Sequence, residues 1–165
     1  MNFLRTSLWL GLGLWLLADV AIADTPEKPV APSYTVDVYD PKRNAADDLK
    51  ETIAKAKAGK KRILIQVGGE WCSWCHLMSK YFHENEKVAK ALASDYLIMK
   101  VNYSDDNQNE EFLGKFPKVG GYPHLYVLDA SGKLLHSQNT EALEEGKGYN
   151  ERVMLEFLRK WAPKN

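Results

Sequence analysis

The stretch Glu70–His76 reads EWCSWCH and holds the only two cysteines of the chain, Cys72 and Cys75. It follows an apolar run, Ile63–Val67, and precedes residues 77–82, where apolar side chains recur at helical spacing. The two cysteines therefore lie where a strand gives way to a helix. We expect Cys72 at the helix N-terminus, where free backbone N–H groups and the helix dipole favour an anion. In such settings a thiolate is stabilised and becomes a better nucleophile at neutral pH.

Composition limits the chain to one domain and excludes some partners. Its 165 residues match the size of a single domain, and an apolar content of 45% can build one core. The 22 Lys and Arg residues balance 22 Asp and Glu residues. Because no net charge attracts phosphates, we expect neither a nucleic acid nor an anionic membrane as partner. We also expect a monomer with no metal site and no dissociable cofactor.

Residues 1–23 have the pattern of a signal peptide. Arg5 supplies a basic start, Leu8–Ala18 is apolar, and Ala21–Ala23 provides the small residues of a cleavage site. The apolar run is too short to span the ~30 Å of a bilayer core, so we expect cleavage rather than a retained anchor. Export predicts a periplasmic protein, or one in another oxidising secretory compartment, with no membrane anchor after cleavage.

Export bears on how the cysteines are interpreted. Structural disulfides of secreted domains stabilise mainly by closing long loops. Cys72 and Cys75 are only three positions apart, so a bond between them constrains the unfolded chain very little. This spacing favours a chemical role over a structural one.

The rest of the chain predicts one α/β domain. Residues 24–33, rich in proline, form an extended leader, and residues 34–162 form the domain. We expect a central sheet with helices on both faces, in the order β-α-β-α-β-α-β-β-α. The pattern predicts strands at 34–39, 63–67, 96–101, 124–128 and 133–136, and helices at 44–57, 72–82 continued over 85–93, about 112–116, and 150–161.

Together these features resemble the thioredoxin superfamily. The apolar strand Ile63–Val67 followed by the Cys72-Ser73-Trp74-Cys75 motif is similar to the active-site region of that family, and Gly121–Pro123 resembles its cis-proline loop. The resemblance covers roughly residues 34–161. It implies a thioredoxin fold with a central mixed β-sheet.

The resemblance also implies an activity. Cys72 would be the attacking thiolate and Cys75 the resolving thiol of a thiol–disulfide oxidoreductase. Pro123 would face the disulfide, and the backbone of Tyr122 would pair with a substrate strand. The implied partners are protein thiols or disulfides and a redox partner dithiol protein, which could be membrane-bound. Of the two directions we favour reductase, with disulfide-donating oxidant as the alternative.

The sequence departs from the family pattern at Gln66, where thioredoxins carry a buried aspartate. An amide cannot accept a proton as a carboxylate does, so help in deprotonating Cys75 must come from water, from His76, or not at all. Gly68–Gly69 replaces the usual Trp-Ala pair, and Ser73–Trp74 replaces Gly-Pro. We predict that Gln66, His76 and the flanking Glu70 modulate the pair.

Two tryptophans flank the cysteines. Trp71 is predicted to shield the disulfide and line the substrate groove. Trp74, at a turn within the motif, is predicted to be an exposed docking residue for substrates.

Two hypotheses of other classes remain open. The segment Cys72–His76 also satisfies the pattern of c-type haem attachment, with His76 as the axial ligand of an electron-transfer protein. The second hypothesis is a thioredoxin-like binding module without catalysis. The alternation of strands and helices argues against a small haem-wrapping helical domain.

Overall fold

The computed structural model describes residues 29–164 of the chain. Its elements are β1 Tyr34–Val36, α1 Ala45–Gly59, β2 Arg62–Gly68, α2 Ser73–Glu84, α3 Glu86–Asp95, β3 Tyr96–Asn102, α4 Glu110–Leu113, β4 His124–Leu128, β5 Leu134–Asn139, β6 Glu144–Glu145, β7 Gly148–Tyr149 and α5 Glu151–Trp161, with a 3-10 turn at Thr140–Leu143.

A five-stranded sheet in the order β1-β3-β2-β4-β5 forms the centre of the domain. β3 runs parallel to both β1 and β2. β4 runs antiparallel to β2 and to β5. The predicted α/β class with a mixed central sheet is confirmed. Because β2 is the middle strand, the loop that follows its carboxyl end lies near the centre of the sheet.

Apolar side chains cover both faces of the sheet. Leu64 of β2 packs into a cluster with side chains of α2, α3 and α5. Its neighbours Ile63 and Ile65 point the other way, into a cluster with α1 and α4. Successive strand residues alternate between faces, so Gln66 and Gly68 share the face of Leu64, toward α2.

Helix α1 begins as predicted at Asn44. The Asn44 side chain accepts hydrogen bonds from the backbone N–H groups of Ala46 at 2.9 Å and Asp47 at 3.2 Å. The helix ends at Gly59, and Lys60 closes it in the left-handed conformation with φ 52°. The local sequence therefore sets both ends of this helix.

The structure differs from the predicted element order at two places. The long helical stretch after the cysteines is divided, because Asn85 adopts an extended conformation and its side chain caps α3 by accepting from Val88 N at 3.0 Å. In addition to the five-stranded sheet there is a small sheet of two strands, β6 and β7, which turns at Gly146 before α5. Strands of two residues are too short to give a periodic signal.

The N-terminal predictions are only partly within the structure. The first strand ends at Val36 rather than at residue 39. The predicted signal peptide at 1–23 and the first half of the leader lie outside the described residues. Within residues 29–164 none of the helices combines the length and apolarity that crossing a bilayer requires.

Candidate functional site at the end of strand β2

The two cysteines lie at the start of α2, as predicted. Cys72 is the N-cap residue of the helix, in an extended backbone conformation. Its carbonyl oxygen accepts the N–H groups of Cys75 at 3.0 Å and His76 at 3.2 Å. The Cys75 N–H also points to the Cys72 sulfur, at 3.1 Å. A negative charge on that sulfur would therefore meet a backbone donor directly.

Cys72 and Cys75 are joined by a disulfide bond, with their Cα atoms 5.2 Å apart. Cys75 is fully buried, whereas Cys72 keeps 4% of its surface exposed. Cys75 is closed to an incoming sulfur, whereas Cys72 offers a narrow exposed edge. This asymmetry is what an attacking and a resolving cysteine require.

Two glycines after the centre of β2 leave room for the site: Gly68 for the disulfide, and Gly69 for Trp71 and the backbone of Tyr103. A Cβ atom on Gly68 would lie 2.4 Å from the Cys75 sulfur, and one on Gly69 would lie 2.8 Å from the carbonyl oxygen of Tyr103. Real contacts of Cβ atoms are essentially never shorter than 3.0 Å. No larger residue fits at Gly68 without displacing the sulfur.

Tyr39 forms the floor of the site, and sequence analysis did not identify it. The residue was predicted to end the first strand, but its ring packs against Cys72 and Cys75 in a small cluster of its own. Only 3% of its surface is exposed. Burial, reinforced by negative groups such as Glu70, raises the pKa of the Tyr39 hydroxyl well above its usual value.

The loop before β4 contributes Tyr122 to the same cluster. Tyr122 packs against the cysteine pair, and its peptide bond to Pro123 is cis. The carbonyl oxygen of Pro123, itself a buried residue, accepts a hydrogen bond from the Thr140 hydroxyl at 2.7 Å. Burial and the adjacent Tyr103 raise the pKa of the Tyr122 hydroxyl above its usual value. The structure thus brings the predicted loop to the cysteines.

Trp71 is the exposed aromatic residue of the site. It is 59% exposed, yet its indole N–H donates a 2.7 Å hydrogen bond to the Tyr103 carbonyl oxygen. Its ring meets the edge of Tyr122 at 5.5 Å, and Tyr122 stacks on Tyr103 at 4.8 Å. The three rings form a fixed aromatic platform beside the disulfide.

Trp74 is less exposed than predicted. It is half-buried, packs against the cysteine pair, and its ring meets the edge of Tyr149 at 5.8 Å. The Tyr149 hydroxyl donates to the Trp74 carbonyl oxygen at 3.3 Å. The hairpin β6–β7, which carries Tyr149, therefore holds Trp74 against the site.

The three residues predicted to modulate the pair are placed differently from one another. Gln66 is fully buried, and its side-chain N–H donates to the Cys75 carbonyl oxygen at 3.4 Å. His76 is exposed and its Nε2 atom lies 2.8 Å from the carbonyl oxygen of Glu70 and 3.5 Å from its carboxylate. The imidazole is therefore engaged by Glu70 beside the motif, whereas the Gln66 side chain hydrogen-bonds a cysteine directly.

Between residues 29 and 164, no three His, Cys, Asp or Glu side chains gather in a way that could hold a metal ion.

Comparison with known families identifies the class of protein. The family model described as thioredoxin-like matches residues 44–130, more than half of the chain, and the chain belongs to this family. The match begins at the N-cap of α1 and ends just after β4, so it includes the cysteine motif and the loop at Pro123.

Curated relatives match this region as a small part of longer proteins. An uncharacterized protein of Caenorhabditis elegans is 42% identical over 83 residues, which cover 48% of this chain and 11% of the relative. Thiol:disulfide interchange protein DsbD of Salmonella paratyphi A is 28% identical over 90 residues, which cover 54% of this chain and 15% of DsbD. The matched segments thus span between about a tenth and a seventh of these relatives.

Solved structures agree on the fold. A disulphide isomerase from Xylella fastidiosa superposes with a TM-score of 0.63 at 22% identity, over 75% of this chain and 96% of that one. At this identity the likeness establishes the fold alone. The predicted thioredoxin fold is confirmed.

Proposed function

We propose that this protein is a thiol–disulfide oxidoreductase that acts on disulfides of other proteins through Cys72 and Cys75. The observation that carries the proposal is the position of the disulfide at the start of α2, where the Cys72 sulfur already accepts the N–H of Cys75 at 3.1 Å. A donor held in place before reaction stabilises the developing thiolate without reorganisation.

The first step is attack by the reduced protein. The Cys72 thiolate attacks one sulfur of a substrate disulfide, forms an S–S bond with it, and releases the other substrate sulfur as a thiolate. The aromatic platform of Trp71, Tyr103 and Tyr122 lies beside the cysteine pair. It offers an apolar surface to the approaching substrate chain. The backbone beside Pro123 is the place for a strand-like contact with the substrate.

The second step resolves the mixed disulfide. Cys75 loses its proton and attacks the Cys72 sulfur, which releases the second substrate sulfur as a thiolate. The products are the Cys72–Cys75 disulfide seen in the structure and a substrate dithiol, so two electrons pass from the cysteine pair to the substrate. Both substrate sulfurs take up protons from water.

We propose the reductase direction, with electrons supplied by a partner dithiol protein. A strongly stabilised Cys72 thiolate would make the pair an oxidant, because it would favour the reduced form. His76 is the histidine of the motif, and its imidazole is engaged by Glu70. It is therefore not counted here as a group that stabilises the Cys72 thiolate. The similarity to DsbD, a thiol:disulfide interchange protein, supports exchange with a dithiol partner. Donation of the disulfide remains the alternative.

We further propose that the domain works outside the cytoplasm after removal of residues 1–23. The basic start, short apolar run and small residues of that segment support export. Processing is testable by expressing the full chain and sequencing the N-terminus of the secreted form, which should begin at Asp24. An uncleaved N-terminus would contradict this proposal.

Trapping with a defined protein disulfide tests the activity. The Cys75→Ser variant, reduced and mixed with insulin, should accumulate an insulin adduct on Cys72 that resists alkylation and disappears with dithiothreitol. The matched Cys72→Ser variant should form no adduct, because Cys75 is fully buried. Absence of an adduct with Cys75→Ser, together with no catalysis of insulin reduction by the wild type, would leave a binding module as the better hypothesis.

The haem hypothesis predicts a different product. Covalent attachment would use both sulfurs for thioether bonds to the porphyrin and would give the purified protein a strong visible absorption band. The oxidoreductase hypothesis predicts a colourless protein whose two thiols appear only after reduction. One absorption spectrum and one thiol titration distinguish them.

A further inference from the structure

The hydroxyl of Tyr39 is a buried polar group whose partner is missing in the oxidised protein. Its oxygen is inaccessible to solvent and has no hydrogen-bond partner among the described residues. The ring nevertheless packs against Cys72 and Cys75, with 3% of the residue exposed. Buried hydroxyls are nearly always hydrogen-bonded, since burial without a partner costs free energy.

The geometry above Gly68 identifies the group that the hydroxyl faces. The point where a Cβ atom of Gly68 would lie is 2.4 Å from the Cys75 sulfur and 3.1 Å from the Tyr39 oxygen. Both groups therefore face the same small space, which stays open because residue 68 is glycine.

The acceptor strength of that sulfur changes with its redox state. A disulfide sulfur is a weak acceptor, whereas a thiolate is a strong one and a thiol is intermediate. Burial raises the pKa of the Tyr39 hydroxyl, so it keeps its proton at neutral pH and can donate toward a disulfide or thiolate sulfur. The oxidised state leaves this donor unsatisfied, and reduction supplies an acceptor.

We propose that the Tyr39 hydroxyl donates a hydrogen bond to the Cys75 sulfur when the disulfide is reduced. This inference rests on the proposed redox function of the pair. Tyr39 then acts as a catalytic residue that stabilises the thiolate form of the resolving cysteine by donating to it, and it does not supply the proton acceptor that the amide of Gln66 cannot be.

The consequence is a shift in the redox equilibrium. In glutathione buffer, the reduced protein and one oxidised glutathione convert to the Cys72–Cys75 disulfide and two reduced glutathiones. A hydrogen bond present only in the dithiol form favours the left side of this exchange. Its removal should favour the disulfide by roughly tenfold, which corresponds to a potential ~30 mV more negative.

The test compares Tyr39→Phe with the wild type by titration in glutathione buffers, using the alkylated fraction as readout. Phenylalanine fills the same ring space and removes only the oxygen. Tyr81→Phe is the matched control, because the Tyr81 oxygen is also buried without a partner among the described residues but lies outside the cysteine cluster. Urea unfolding of the oxidised and reduced forms of each protein then shows how each substitution changes the stability of each redox state.

The expected result has two parts. Tyr39→Phe should raise the equilibrium constant for disulfide formation about tenfold while Tyr81→Phe leaves it unchanged. The oxidised Tyr39→Phe protein should be at least as stable as the wild type, since an unpartnered hydroxyl has been removed, and the reduced form should be less stable.

An unchanged equilibrium constant in Tyr39→Phe, with normal exchange by the wild type, would overturn the role of Tyr39 and leave the proposed function standing. Equal losses of stability in the oxidised and reduced forms would overturn it too, because they indicate ring packing alone. A wild type that does not exchange with glutathione at all would remove the function and this inference together.

Discussion

Gly68 lies so close to the sulfur of Cys75 that a Cβ atom on this residue would be only 2.4 Å from that sulfur. The end of the central strand and the resolving cysteine are thus in contact without any side chain between them. This contact places the disulfide at the carboxyl end of β2, the central strand, which is held by β3 on one side and β4 on the other. It also makes residue 68 a sensitive point for the whole site.

Gly68→Ala should destabilise the oxidised protein. The added methyl group would meet both the Cys75 sulfur and the Tyr39 ring, and overpacking of this kind costs ~1–3 kcal/mol. Urea unfolding measures the change in the free energy of unfolding. Gly121→Ala is the matched control, because a Cβ atom there meets nothing within 4 Å. Equal stability of the two variants would mean that the sulfur moves aside freely.

Trp71→Ala should weaken binding of protein substrates. The indole is exposed but fixed by its 2.7 Å hydrogen bond to the Tyr103 carbonyl oxygen, so it offers a preformed apolar contact. Loss of such an aromatic contact should raise KM for insulin roughly tenfold and leave the rate with oxidised glutathione unchanged. Steady-state assays with both substrates measure the difference.

Trp71→Phe separates the ring from its hydrogen bond. This variant keeps an aromatic face but cannot donate to Tyr103, and it should lose about 1 kcal/mol of stability with a smaller rise in KM than Trp71→Ala. A fall in the glutathione rate equal to the fall in the insulin rate, in either variant, would show that Trp71 acts on the cysteines rather than on the substrate.

The sequence predicted those parts of the site that local patterns determine. An apolar run followed by Cys72 and a helical repeat is sufficient to place the motif at the start of α2. The N-cap at Asn44 is equally local. The prediction that the Tyr122–Pro123 loop lies beside the cysteines came from the family resemblance instead. No local pattern connects that loop with residues so far away in the chain.

Sequence patterns could not reveal contacts made between distant segments. Tyr39 was assigned to a strand because β-forming side chains alternate over residues 34–39, but the strand ends early and the ring packs against the cysteines. Tyr103 supports Trp71 through a backbone oxygen, which any residue type carries. Tyr149 lies on a two-residue strand that is too short to be periodic.

Stability should fall in mild acid because of His124. Its Nε2 atom pairs with the Ser137 hydroxyl at 2.8 Å, and burial, with His136 nearby, lowers its pKa. An unfolded histidine has a pKa of ~6.5, so below that pH the unfolded chain binds a proton that the folded protein resists. The contribution is therefore present above pH ~6.5 and is lost progressively as the pH falls toward the lower, folded pKa.

His124→Gln should remove part of this pH dependence. Urea unfolding at pH ~7.5 and pH ~5.5 should show a smaller fall for the variant, by up to about 1.4 kcal/mol for each unit by which the pKa is lowered. His83→Gln is the control, since His83 is an exposed helix residue. If His124→Gln and the wild type lose the same stability between the two pH values, other groups cause the acid sensitivity.

Gln66→Asp should speed the resolving step. Gln66 is fully buried beside Cys75, with its side-chain nitrogen 3.4 Å from the Cys75 carbonyl oxygen, and a carboxylate there could accept the thiol proton. Burial would raise the pKa of that carboxyl group, so the gain should appear on the alkaline side of its titration. Release of a coloured aromatic thiol from its mixed disulfide with Cys72 measures the rate, with an expected rise of ~10-fold or more.

Gln66→Asn is the matched control, because it has the same length as aspartate but no charge. It should resolve the mixed disulfide no faster than the wild type, and Gln66→Asp should be less stable than Gln66→Asn, by ~1–3 kcal/mol, since it buries an unpaired acidic group. Identical rates in the two variants would mean that the proton of Cys75 leaves by another route. Water and His76 are then the remaining acceptors, and a further loss in His76→Gln would distinguish them.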